Sequence, residues 1–246
     1  MRPVLWGLLI FVLCLPLAFV LWLVAAAKYP AMDSFTMTLP ADVRATVAEL
    51  TMRNAGYGKD SAKAIDRTIV LDPDNTDAWS RRCQGNFQKI KGDIASCRKA
   101  IALDPSAFND NGLGLAQEDA KDFCAAEDSY TTALRTLQND ANLLRNMARA
   151  ALRCGHAPAS VAGFEVAEDL DAKAATDPSQ NDSDDAKSDL VTDREYLTVA
   201  YDRTNQPAKA ATTCAKAHAT WKTCHCELTD SAVKCSDTST PPASKK

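Results

Sequence analysis

Between Ala107 and Ala174 the chain runs through one pattern twice at a fixed interval, and that recurrence limits its folds more than any other feature. Leu113 to Met147, Ala126 to Ser160 and Ala133 to Ala167 are each 34 residues apart. In both copies a small residue, an aromatic and a second small residue follow in order: Ala126, Tyr130, Ala133, then Ser160, Phe164, Ala167. A period of that length matches a helix-turn-helix unit stacked into a solenoid. The small positions, Gly114, Ala126, Ala148 and Ser160, let antiparallel helices approach closely, while Tyr130 and Phe164 fill the space toward the neighbouring hairpin. One hairpin cannot bury its apolar face alone, so copies must stack.

The pattern extends both ways. Ser61, Ile65 and Thr68 carry it in a degenerate first unit ending at Leu71-Asp72-Pro73, and the next unit runs from Asn75 to Leu103-Asp104-Pro105. Proline disfavours α geometry in the residue before it, so both triplets read as helix stops. Ala210, Cys214 and Ala217 repeat the spacing 50 residues after Ser160, Phe164 and Ala167. The surplus over 34 falls in residues 175–190, where five aspartates face one lysine, and reads as a mobile acidic loop. The small/large/small spacing resembles the tetratricopeptide repeat (TPR) family over residues 41–224, in the membrane-anchored bacterial manner. Asp110, Leu144 and Arg194 depart from it where the family often has Trp. The resemblance implies an all-α, right-handed helical solenoid of about five units, binding protein or peptide on its concave face without catalysis.

Val4 to Ala27 contains no charged residue and is long enough to span a bilayer as a helix. Trp6 and Trp22 lie near its ends, where interfacial aromatics belong. Residues 1–27 thus read as a signal anchor or single-pass transmembrane helix, with secretion after cleavage near Ala25-Ala26-Ala27 as the alternative. Residues 28–40, with Pro30 and Pro40, read as a linker. Of nine cysteines, Cys14 lies inside the apolar run and eight remain, a number suited to disulfides in an oxidising compartment. The bulk of the chain is therefore expected outside the cytosol, most simply in a bacterial periplasm. A formal net charge of -4 without a basic domain argues against nucleic acid.

Arg145, Arg149 and Arg153 recur every four residues, with Asn142 and Asn146 beside them, so they share one helix face. In the family the first helix of each unit lines the groove, which makes the five residues a candidate partner-binding stripe for acidic groups. A plain solvated face is the alternative, and coverage by the chain's own acidic segment is a third reading. Cys83 and Cys97 sit seven residues either side of Ile90, so an antiparallel hairpin brings them level. In a TPR stack Cys124 and Cys154 fall at the same edge. Both are expected pairs, with further bridges among Cys214, Cys224, Cys226 and Cys235. Cys224-His225-Cys226 could instead mark a thiol- or metal-handling module, although no zinc-type spacing accompanies it. Residues 225–246 read as a cysteine-containing segment followed by a disordered tail. With three histidines and no G-x-S-x-G, phosphate loop or H-E-x-x-H, the chain reads as a scaffold, not an enzyme, and needs no cofactor.

Overall fold

A computed structural model describes residues 17–55, 59–85, 93–176, 183–221, 223–230 and 232–238. They form two compact units meeting in sequence at Pro105 and Ser106, each described separately.

In the first unit, residues 17–28 are helical. A 3-10 turn, Pro30–Met32, and a short helix, Asp33–Thr36, lead into α1 (Ala41–Ala55), α2 (Lys59–Leu71), α3 (Thr76–Cys83) and α4 (Ile94–Leu103). α2 and α4 stop at the leucines of the two Leu-Asp-Pro triplets. α3 begins where Asn75 accepts from the Ala78 amide at 3.0 Å, and α4 where Asp93 accepts from the Ser96 amide at 2.7 Å. Such caps satisfy amides that the first turn leaves unpaired. Met52, Ile65 and Ala78 form one core cluster, and Val47, Ala48 and Leu71 form another with Ala26 and Ala27.

Residues 28–40 are not the spacer that their prolines suggest. Asp33 accepts from Arg67 Nε at 2.9 Å and from Nη2 at 2.5 Å, and Thr36 is buried. The same guanidinium donates to the carbonyls of Ala26 and Ala27, both at 2.6 Å. One arginine thus closes the end of the preceding helix and fastens the segment after it. Trp22 packs edge-on against Phe35. Among the described residues no helix is long and apolar enough to cross a membrane; residues 4–16 of the expected anchor, with Trp6 and Cys14, lie outside them. Lys91, Gly92 and the side chain of Ser61 also lie outside the described residues.

The second unit contains α5 (Ala107–Asp119), α6 (Phe123–Leu134), α7 (Ala141–Cys154), α8 (Ala157–Thr176), α9 (Ser183–Arg203) and α10 (Pro207–Ala217). Ser106, Asp122 and Asp140 cap α5, α6 and α7. Successive helices pack against one another from α5 to α10. At Gly114 a side chain would have no room, because an added Cβ would lie 2.7 Å from Cδ1 of Tyr130. Tyr130 therefore fills its own hairpin as well as joining Leu143 and Ala150 of α7. Phe164 reaches onward and stacks on Tyr196 of α9 at 5.5 Å between ring centroids.

Two expectations change here. An all-α chain was expected, but β1 (Cys224–Leu228) and β2 (Val233–Asp237) form an antiparallel hairpin, with Cys226 opposite Cys235. Its Cys226 and Val233 join the core that holds Leu197 and Ala200 of α9. The segment 175–190 is not a loop where it is described: residues 175–176 end α8 and 183–190 begin α9, while 177–182 lie outside the described residues. Asp189 of this segment and Asp193 beyond it face Arg145. Residues 239–246, the expected tail, lie outside the described residues.

Candidate functional site

The four-residue spacing of Arg145, Arg149 and Arg153 places them along one side of α7, and each has a different fate. Arg145 is buried. Its Nε donates to Asp193 Oδ1 at 2.7 Å, its Nη1 to Asn142 at 2.7 Å and its Nη2 to Asp171 at 2.5 Å, with Asp189 at 3.3 Å. Burial opposes its charge, but the hydrogen bond and charge of Asp193, then Asp189 and Asp171, outweigh that and hold the guanidinium more firmly protonated. The partners come from α8 and α9, so a single side chain ties three helices.

Asp193 has no exposed side-chain surface, and its Oδ2 has no hydrogen-bond donor. Burial and neighbouring Asp171 push its carboxyl up to about 7, against the opposing pull of Arg145. A proton on Oδ2 resolves the missing donor, because the acid then donates toward Asp171.

Arg149 donates to Glu118 of α5 at 3.3 and 3.1 Å and to Asn146 at 2.9 Å. Glu118 also accepts from the Tyr130 hydroxyl at 2.9 Å, and burial followed by that carboxylate pushes the phenol's pKa up. Asn146 in turn donates to Asn111 at 3.4 Å. Arg153 differs from both: its guanidinium lies over the Phe123 ring, 5.3 Å from the centroid, and its Nε and Nη2 make no hydrogen bond. Among the described residues it has no carboxylate partner. With Lys121, Phe123, Arg203, Leu228 and Asp230 it lines an open cavity of about 220 Å³.

The predicted stripe is thus one surface in sequence but three environments in space. Arg145 and Arg149 are held by the chain's own carboxylates, including Asp189 from the acidic segment, whereas Arg153 faces an open cavity. Sequence reasoning missed Asp171, Asp193, Glu118 and Lys121. Asp189 and Asp193 are four apart, a one-face signal that was legible had the segment been read as helix.

All eight cysteines beyond the apolar run are bonded. Cys83–Cys97 joins α3 to the start of α4, with Cα atoms 4.4 Å apart, and Cys124–Cys154 joins the start of α6 to the end of α7 at 5.0 Å. Cys214–Cys224 and Cys226–Cys235 fix the β-hairpin to α10 and to itself. Among the described residues three groups have metal-ligand spacing: Cys214 with Cys224 and Cys226, Glu127 with Cys154 and His156, and Glu195 with His218 and Cys235. Each depends on a sulfur that is here in a disulfide and so is not the thiolate a metal takes.

No family model matches the chain, and no curated protein matches it. Among solved structures, a crystal structure of MamA protein matches with a TM-score of 0.53 at 16% identity, covering 72% of this chain and 89% of that one. A second crystal structure of MamA gives 0.52 at 17% identity, over 68% and 90%. The chain has a tetratricopeptide-like fold. A crystal structure of PilW, a widely conserved type IV pilus biogenesis factor, matches at 0.39 with 15% identity, over 73% of this chain and 93% of that.

Proposed function

We propose that this protein is a membrane-anchored scaffold that recruits a protein or peptide partner on the extracytoplasmic side of a bacterial envelope. The repeat architecture carries this reading. Tandem hairpins expose long helix faces, and the known use of such faces in TPR proteins is to hold other chains. Four disulfides suit an oxidising compartment. Leu17, Phe19, Val20, Leu21 and Val24 are exposed along residues 17–28, as befits the end of a helix that enters a bilayer.

Acidic groups on the partner would meet Arg153, Lys121 and Arg203 around the open cavity, since Arg145 and Arg149 already hold internal carboxylates. A forked guanidinium–carboxylate contact in a partly shielded site is worth about 1.5–3 kcal/mol. Photo-crosslinking of the full chain in its native membrane tests the reading. A photoreactive residue replacing Lys121 should give a discrete protein adduct that weakens with Arg153→Glu. Adducts that are indifferent to that change would overturn the acidic-partner reading, and no adduct there or at Asn111 and Asn142 would overturn the scaffold itself. A cytosolic reporter active at the C-terminus would overturn the topology.

A further inference from the structure

Among the eight bonded cysteines, Cys124 alone is exposed, and its partner Cys154 has an ionisable neighbour aimed at it. Cys83, Cys97, Cys214 and Cys226 are all at most 3% exposed, so each of the other three bridges has at least one buried member. Cys154 closes α7, and the next residue, Gly155, adopts φ 95°, a left-handed conformation strained for any other residue type. That turn brings the His156 ring back over the bridge. His156 Nε2 lies 3.9 Å from Cys154 Sγ, and its Nδ1 lies 2.7 Å from Glu127 Oε2. A carboxylate only accepts, so Nδ1 carries a hydrogen, and whenever the ring takes a second proton its Nε2–H is directed at the sulfur.

We propose that Cys124–Cys154 is a thiol-exchange site for a partner dithiol. A partner thiolate attacks Sγ of Cys124, the exposed residue of the pair. As the new sulfur–sulfur bond forms, the Cys124–Cys154 bond breaks and its electron pair leaves on Cys154 Sγ, which takes the proton from His156 Nε2. The partner's second thiolate then attacks its own sulfur in the mixed disulfide, closing the partner's disulfide and releasing Cys124 as a thiolate. That thiolate lies at the second residue of α6, where free backbone amides and the helix dipole favour negative charge. Two electrons pass from the dithiol to the bridge, and His156 regains its proton from solvent. Exchange rates depend on access to the attacked sulfur and on the leaving thiol, and the two sulfurs divide these roles. Glu127 is a positioning residue, because it fixes the ring without touching the sulfurs.

The test uses the full chain in detergent at one pH, treated with dithiothreitol, quenched at intervals by alkylation and mapped by mass spectrometry. Cys124 and Cys154 should become labelled about tenfold faster than the six other bonded cysteines. His156→Gln should slow that pair by about tenfold while leaving the other three rates unchanged. Glu127→Gln should lie between the two, separating ring placement from proton donation. With glutathione as a monothiol, the adduct should form on Cys124 with Cys154 free. Equal rates for all bridges, an unchanged rate in His156→Gln, or an adduct on Cys154 would each overturn the proposal. Because His156 is an exposed turn residue, the variant keeps its fold, which circular dichroism checks directly.

Discussion

At the scale of single residues, Arg145 is the most consequential side chain in the second unit. Removing one partner of a buried charge cluster leaves the others uncompensated, at a cost of about 3–5 kcal/mol. Arg145→Met should therefore lower the urea midpoint strongly, since Asp193 and Asp171 would remain buried without a cation. A near-neutral result would mean that both carboxyls become protonated at little cost. Asp193 itself makes stability depend on pH. Its folded carboxyl is raised to about 7 from an ordinary 3.8, so the native state holds an additional proton between those values. That contribution is fully present below 3.8 and is lost as pH rises through about 7. Asp193→Asn should lack this decline, so the stability difference between variant and parent should shift in the variant's favour from pH 5 to pH 8.

At the scale of helices, the contact between α5 and α6 depends on one missing methyl group. Tyr130 has no exposed surface, and its ring occupies the place where a side chain at residue 114 would stand. The ring is rigid and bound through its hydroxyl to Glu118, so it cannot withdraw freely. Gly114→Ala gains helix propensity but forces overpacking, and the net should be a loss of about 1–3 kcal/mol. Thermal unfolding measures it. An unchanged melting temperature would show that the two helices separate without penalty. Gly163 is a milder case, with an added Cβ 2.8 Å from Ala148 and 2.9 Å from the flexible end of Met147.

At the scale of the whole molecule, the apolar N-terminal helix is built into the first unit. Ala26 and Ala27, which stand at the expected cleavage position, are buried at 0% and 4% exposure, and Arg67 holds both their carbonyls. Cleavage after Ala27 would remove two core residues and leave Arg67 with fewer partners. Protein purified from membranes should therefore have the intact mass of the full chain. A mass beginning at Lys28 would show that the unit folds without this helix and would favour secretion.

Local chemistry made much of this protein legible from its sequence. The 34-residue recurrence and the Leu-Asp-Pro stops depend on helix geometry, so the hairpins could be read in order. Cysteine positions relative to those hairpins were legible for the same reason, and Cys83 and Cys97 do meet across one of them. What the tertiary structure alone decided is where the charges go. The composition of residues 175–190 says loop when taken by itself, but a buried arginine 44 residues before Asp189 makes that one carboxylate a packing partner, and residues 183–190 lie in the start of α9. The β-hairpin was hidden similarly, because five-residue strands have little periodicity and this pair is held by Cys214–Cys224 and by the core of α9. Evenly spaced arginines on α7 signal a shared face. Whether each meets solvent, a carboxylate or an aromatic ring depends on helices distant in sequence, since electrostatic partners are chosen by proximity in the folded chain.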